Sequence, residues 1–482
     1  MCHTAWKDIG CAHCPVRACV VQSIIMDNKT ATLELGTKPV GKLLMQYALP
    51  SIMAMTAASL YNMVDSIFIG QGCGALAISG LAVTFPLQNL AAAFGAAVGV
   101  GASTCISVKL GQRDYATAQR IFGNAVTLNL IIGVAFSIVT LLALNPILMF
   151  FGASDDTLPY AREYMVVTLL GNVISHMFFG MNALLRSASK PRQAMYASIF
   201  TVLLNAVLSP IFIWPLNMGI RGAALATIIA QSVALAWQVR IFSNPATVIH
   251  FSRGIYRLSR HVVGNIIAIG MSPFAMNVCA CLVVIVINSA LQSYSGDMAV
   301  GAFGIANRVA FVFVMINMGI NQGMFPIAGY NYGARHYDRL LKVLRFTMIG
   351  AFCNTLVGFA ISQCAPEGCA RLFTTDPTLI EISAKAIRTV MIAFPLVGLQ
   401  MSTTGFFQGI GKAKISMLLS LSRQLLFLLP MLLLLPAFMG VDGVWVSLPA
   451  SDVLSTVVAM TILYKYVKKI AQGERNGACS NC

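Results

Sequence analysis

A chain of 482 residues that is 57% hydrophobic and only 10% charged, with a mean hydropathy of +0.78, has too little polar surface for a water-soluble fold. The formal net charge of +16 does not point to nucleic acid, because the basic residues are spread over alternate loops instead of gathered on one patch. Composition leaves an all-α polytopic membrane protein. A spanning helix needs about 20 mostly apolar residues, and a β-barrel would show a period of two that these long apolar runs lack.

Residues 1–41 read as an N-terminal tail with no secretory signal, since no basic region precedes a clean apolar run; Met26 offers a second start. The tail holds Cys2, His3, Cys11, His13, Cys14 and Cys19, with Cys11 and Cys14 in the C-x2-C spacing that Cys479 and Cys482 repeat. A structural zinc site needs four ligands in a folded unit, and neither tail reads as one, so no metal is expected. About twelve spans follow. Six lie near 43–70, 81–108, 121–150, 163–185, 193–214 and 222–239, forming an N-lobe over 42–242. Residues 243–258 lack a long apolar run and read as a cytoplasmic linker. The other six lie near 261–291, 299–328, 345–366, 387–409, 415–439 and 443–464, forming a C-lobe over 259–467, with a tail at 468–482. Basic residues concentrate in the loops after the second, fourth, sixth, eighth, tenth and last spans, which by the positive-inside rule puts both termini in the cytoplasm, at the cytoplasmic (inner) membrane. Cys105, Cys279, Cys281 and Cys353 lie within apolar spans and read as small hydrophobes.

The chain also repeats itself. Gly101, Gly111, Arg113 and Tyr115 form a G-x9-G-x-R-x-Y frame that recurs, 222 residues on, at Gly323, Gly333, Arg335 and Tyr337. Downstream the same shift matches Phe151 with Phe373 and Lys190 with Lys412; upstream a shift of 223 pairs Pro50 with Pro273 and Asp65 with Asn288. An even number of spans per repeat returns the chain to its starting side, so the two lobes share one orientation about an axis along the membrane normal.

Polar residues inside apolar spans are the candidates for chemistry. Asp65 is the only acid of the first span; a charge near the bilayer centre costs about 2.5–3.5 kcal/mol on insertion scales, so it faces a partner or water, or else sits solvated at the span's end. Desolvation disfavours the charged form of a carboxyl group, so a sequestered Asp65 can load and release a coupling cation. Pro50 removes a backbone hydrogen bond from the same helix and is either a hinge that bends with the charge on Asp65 or a static kink. Asn205 and Ser209 share a face of the fifth span, being four residues apart. Asn182 closes the fourth span and Thr227 lies in the sixth; singly, such groups serve interhelical hydrogen bonds as readily as ions. In the C-lobe Asn288, Asn307, Arg308, Asn317, Asn321 and Gln322 are intramembrane polar groups. Asp452 in the twelfth span either pairs with Arg423 of the eleventh or makes a second coupling site, and Arg308 either lines a wet cavity or reaches toward an interface. Neither a G-x4-G-K-[ST] phosphate loop nor H-E-x-x-H nor G-x-S-x-G is present, so no enzyme is expected and no cofactor.

Leu49-Pro50, Val64-Asp65-Ser66, the paired G-x9-G-x-R-x-Y loops, the Leu-Asn-Ala-Val-Leu-Ser-Pro run at 204–210 and Gly222-Ala-Ala-Leu-Ala-Thr227 make the chain resemble the multidrug and toxic compound extrusion transporters over roughly residues 40–467. The resemblance implies two six-helix lobes around a V-shaped cleft, acting as a cation-coupled antiporter that exports amphipathic, cationic small molecules by alternating access. It implies that Asp65, Asn205 and Thr227 form the N-lobe cation site, with Ser209 and Asn182 beside them, and that Pro50, Tyr61, Tyr164 and Asn182 surround it. Asn288, Arg308, Arg423 and Asp452 are further candidates for the cavity. Many relatives have aspartate where this chain has Ser209; one carboxylate fewer favours protons over sodium as the coupling ion. No acid lies in the seventh span, so the C-lobe cation site of some relatives is absent. The expected partners are the lipid bilayer and a small-molecule substrate, not nucleic acid, and the expected state is a monomer. The rival transporter reading, a lipid-linked saccharide flippase of a related two-lobe fold, rests on Arg308 and Arg423; a polytopic membrane enzyme would need clustered acids, histidines or metal ligands at helix ends, which the chain lacks.

Overall fold

The computed structural model describes residues 33–479, apart from 74, 246, 253, 296 and 375, and their side chains except at 60–64, 66, 67, 70, 75, 76, 78, 82, 295, 297 and 471–479. The cysteine pairs of the two tails therefore lie outside what is described, as does the side chain of Tyr61. Among the described residues the chain is helical: α1 (Val40–Cys73), α2 (Ala75–Gly111), α3 (Tyr115–Leu142), α4 (Leu144–Phe150), α5 (Leu158–Leu170), α6 (Asn172–Ser187), α7 (Pro191–Ile213) and α8 (Gly219–Phe242), then α9 (Arg260–Ser295), α10 (Asp297–Gly333), α11 (Tyr337–Cys364), α12 (Pro366–Arg371), α13 (Pro377–Val390), α14 (Phe394–Gly409), α15 (Ala413–Leu421), a π-helical turn (Ser422–Leu428), α16 (Leu429–Met439) and α17 (Val441–Cys479). Nine helices of the described residues are long and apolar enough to cross a membrane, or up to eleven if each of two bent helix pairs is one span; α1 holds the place of the first expected span.

Five of the expected spans need correction. The third breaks into α3 and the short α4 at Ala143, because Pro146 lacks the N–H that would continue the helix. The fourth is the pair α5 and α6, bent by 56°, and the tenth is α13 and α14, bent by 51°. The first bend falls at Gly171, where a Cβ would lie 2.4 Å from Ile228. The eleventh is interrupted by the π turn. The last helix continues through residue 467, so the boundary expected there falls within α17.

The duplication is visible in the backbone. Helices α2 and α10 begin and end 222 residues apart, as do α3 and α11, and α6 and α14. The turn residues repeat as well, with Arg113 and Arg335 both at φ 60°, and Ser189 at 64° answered by Gly411 at 75°. Non-glycine residues rarely adopt this left-handed region, so its recurrence at copied positions records one ancestral turn.

Packing gives the molecule its shape. One apolar cluster holds only N-lobe residues, among them Ile69, Leu148, Tyr164 and Ala223. A second holds only C-lobe residues, among them Ile287, Phe303, Ile387 and Trp445. A third is shared by both lobes, joining Leu43, Ile106, Phe122 and Phe242 to Ile266, Ile327, Leu344 and Phe407. The shared cluster lies at the helix ends that carry the basic loops. Toward the opposite ends each lobe has its own core.

Candidate functional site

The repeated G-x9-G-x-R-x-Y frame, which the sequence marked only as a sign of duplication, forms the seam between lobes. A Cβ on Gly111 would lie 2.0 Å from the Tyr330 carbonyl oxygen, and one on Gly333 would lie 2.0 Å from that of Val108. Likewise a Cβ on Gly101 would meet the Ile266 oxygen at 2.1 Å, and one on Gly323 would meet the Ala48 Cα at 2.5 Å. No side chain fits at such distances, so these glycines let helix backbones of opposite lobes touch. The contacts are two-fold related, since Val108 and Tyr330 are themselves copied positions.

Two straps reinforce this end. The segment before α1 crosses to the C-lobe, where Asn331 Nδ2 donates to the Leu35 carbonyl at 3.1 Å and Arg339 Nη2 donates to that of Lys38 at 2.6 Å. The linker before α9 crosses to the N-lobe, where Asn124 Nδ2 donates to the carbonyls of Ile255 at 3.3 Å and Arg257 at 3.1 Å, and Asn124 Oδ1 accepts from the Ser259 N–H at 2.8 Å. Sequence reading missed both straps, because the carbonyls they hold carry no residue signature.

Within the N-lobe, four of the residues singled out from sequence meet. Asp65 of α1 is 7% exposed, and Asn205 and Ser209 of α7 are buried beside it. The Ser209 hydroxyl lies 3.1 Å from Asp65 Oδ1 and 2.9 Å from Asn205 Oδ1. Asn205 Nδ2 donates to Thr227 Oγ1 of α8 at 2.8 Å, and Thr227 donates to the Ala223 carbonyl at 3.2 Å. The helical spacing of Asn205 and Ser209 places both on the face turned toward α1 and α8. Ser209 has one proton and two acceptors in reach. If it donates to Asp65, the Asn205 oxygen goes without it; a protonated Asp65 can instead donate to Ser209, and every hydroxyl and amide then points the same way down to Ala223.

The remaining candidates are distributed unevenly. Tyr164 of α5 is buried within range of the Asp65 charge. Asn182 is buried but does not join this chain: its carbonyl oxygen accepts from Arg186 Nη1 at 3.0 Å, and its amide donates to Ser198 at 2.8 Å. The expected place of Asn182 beside the coupling ion thus finds its oxygen turned to a guanidinium instead of to Asp65. The i, i+4 spacing to Arg186 was the available signal. Pro50 lies in α1 between Ala48 and Ile52, the two residues that abut Gly323 and Gly319, and thus at the seam. It stands 15 residues from Asp65, about 22 Å along the helix.

In the C-lobe Arg423 Nε lies 2.7 Å from Asp452 Oδ1. Asp452 is 6% exposed while the Arg423 side chain is 30% exposed, so of the two readings from sequence the geometry favours the ion pair. Arg423 reaches it from the π turn, whose extra residue rotates the side chain relative to an α-helix. Asn288 of α9 is half-buried and Arg308 of α10 exposed. Arg308 lies on the helix stripe that continues, eleven residues on, to Gly319; that stripe faces the N-lobe.

Among the described residues no cluster of three or more His, Cys, Asp or Glu could hold a metal ion.

A family model described as MatE matches residues 50–211 and again 273–433, once in each lobe. Over 427 residues the chain is 27% identical to the multidrug export protein MepA of Staphylococcus haemolyticus strain JCSC1435, covering 88% of this chain and 93% of that one. MepA of Staphylococcus aureus strain NCTC 8325 is 26% identical, with 88% and 94% covered. Among solved structures, the outward-facing conformation of a multidrug resistance MATE family transporter superposes with a TM-score of 0.86 at 25% identity, covering 91% of this chain and 98% of that one. The MATE multidrug transporter DinF-BH gives 0.83 at 34% identity, covering 89% and 96%. The two matched segments begin at Pro50 and Pro273, the pair that the internal shift had already aligned, and the chain belongs to the MatE family of transporters.

Proposed function

We propose that this transporter exports amphipathic, cationic compounds across the cytoplasmic membrane in exchange for protons taken up at Asp65. Relatives named for multidrug export over nearly their whole length support the export of drug-like molecules. The observation that carries proton coupling is the chain from Asp65 through Ser209 and Asn205 to Thr227, whose hydroxyl and amide donors line up when the acid is protonated. A sodium ion would need to displace these protons from the same oxygens, with one carboxylate to compensate its charge. If the basic loops face the cytoplasm, the closed seam of glycines and straps at that end supports an outward-open arrangement of the lobes.

Uptake of a proton and release of drug favour different states, and differential affinity is what shifts such an equilibrium. Asp65 and the seam share α1, with Pro50 at the seam between the residues that abut Gly319 and Gly323, so a change of charge on Asp65, which reverses its hydrogen bond with Ser209 of α7, acts on the helix that bends where the lobes meet. A potential of 100 mV contributes about 2.3 kcal/mol per charge, enough for one proton to sustain modest accumulation of drug. The flippase alternative drew on Arg308 and Arg423; with Arg423 neutralised by Asp452, a single unpaired arginine is thin support for a polyanionic headgroup. Efflux of a fluorescent cation from vesicles, under an imposed pH or sodium gradient, tests the reading. The pH gradient drives export by the wild type and not by Asp65→Asn; export driven equally well by sodium alone would refute proton coupling.

A further inference from the structure

The C-lobe carries a groove of about 510 Å³ between α11, α14 and α17. Met348, Ile349 and Phe352 of α11 line it, Leu399 of α14 and Val467 of α17 close it, and Arg345 stands at the end nearer the basic loops. The α11 residues recur at intervals of three and four and so share one helix face. Ile349 itself is 49% exposed, and beside the groove Phe346, Leu356 and Val357 are 46%, 43% and 54% exposed on a helix apolar enough to span a membrane. A slot flanked by such a surface opens to lipid, not to water.

Arg345 has basic neighbours. Lys342 lies one turn before it on α11, and Lys468 follows Val467 on α17; all three are exposed. Among the described residues none forms an ion pair, although Asp338 stands one turn before Lys342. Arg345 lies eight residues inside α11, about 12 Å from its start, a depth from which its guanidinium reaches the headgroup region while its stem stays against the slot. An apolar slot with unpaired cations at its polar end matches a molecule that joins an acyl chain to a negative charge. We infer that the groove binds one anionic phospholipid, its chain along Met348, Ile349 and Phe352 and its phosphate on Arg345, flanked by Lys342 and Lys468. A neutral lipid would fill the slot and leave the three cations without partners.

Native mass spectrometry of the full-length protein, released from detergent with phosphatidylglycerol or phosphatidylcholine of the same chains, tests the site. Wild type retains one equivalent of phosphatidylglycerol, with a preference of about five-fold per basic residue engaged. Lys342→Gln with Arg345→Gln lowers that preference toward the phosphatidylcholine level. Ile349→Trp fills the slot and removes the retained lipid, whereas Val357→Trp, on the same helix but outside the groove, keeps it. Equal retention of the two lipids by wild type, or full retention in Ile349→Trp, would overturn the inference; so would a dimer that Ile349→Trp dissociates, which would assign the groove to a second copy of the chain.

Discussion

On helices α1, α7 and α8 the N-lobe carries a buried acid linked through Ser209 and Asn205 to Thr227. At the copied positions the C-lobe has Asn288, Met431, Phe427 and Pro449. Its own buried acid, Asp452, sits where the N-lobe has Ala230 and is held by Arg423, where the N-lobe has Thr201. The bounds of several helices and the angles of two turns have survived duplication, while every polar residue of the hydrogen-bonded chain has diverged. The scaffold depends on features both copies need, namely apolar faces, seam glycines and left-handed turns. A titratable site needs only one copy. One lobe thus holds its buried acid among hydroxyl and amide groups, while the other pairs its buried acid with an arginine.

The comparison breaks most sharply at the two equivalent positions of α1 and α9. Asp65→Asn removes the only acid of the hydrogen-bonded chain in the N-lobe, and vesicle efflux driven by a pH gradient falls to background. Asn288→Ala, its counterpart, retains most of the activity; comparable losses from both would show that the lobes share the coupling.

Next in size is the C-lobe ion pair. Arg423→Leu leaves Asp452 buried without its cation and costs about 3–5 kcal/mol of stability, whereas Arg423→Leu with Asp452→Leu is nearly neutral. Thermal unfolding in detergent reads the difference. A double variant that kept its stability but lost efflux would give the pair a part in transport.

The seam should respond equally in both lobes. Gly333→Val forces methyl groups against the Val108 carbonyl, and Gly111→Val does the same at Tyr330; overpacking of this kind costs about 1–3 kcal/mol. Either change separates the lobes at the basic-loop end, which spin-label distances across the seam would record as a shift away from the closed-seam state. An effect from one glycine only would contradict the two-fold relation.

The smallest expected effect lies in the turns. Asp114 caps α3 by accepting from the Thr117 N–H at 3.1 Å, while its counterpart His336 makes no such bond to α11. Asp114→Ala therefore costs about 0.5–2 kcal/mol and His336→Ala spares its helix, as amide exchange in the first turn of each helix would show. Hydrogen bonds from Thr117, with help from Lys109, hold the Asp114 carboxyl below the usual carboxylate range. Its folded-state value is the lowered one, so its contribution is in place above the ordinary value and fades as pH falls through the lowered one.

Much of this was legible in the chain. Long apolar runs dictated spanning helices, because a bilayer leaves the backbone no other way to satisfy its polar groups. The spacing of Asn205 and Ser209 fixed a common face, and the shift of 222 residues fixed the two lobes. The bends at Gly171 and before Pro395, the π turn and the true end of α17 were not legible, since hydropathy averages over windows longer than a single break.

Sequence by itself determined the class, the duplication and which residue types stand inside the membrane, because these follow from composition and period along one chain. Only tertiary structure decided which polar groups meet. Asn182 and Thr227 looked alike as lone amide and hydroxyl in apolar runs, yet one faces Arg186 and the other Asn205. Glycines that read as markers of a repeat proved to be the surface along which two lobes touch. Partner choice depends on how helices far apart in sequence are rotated against one another, a quantity that side-chain packing sets and that no local pattern encodes.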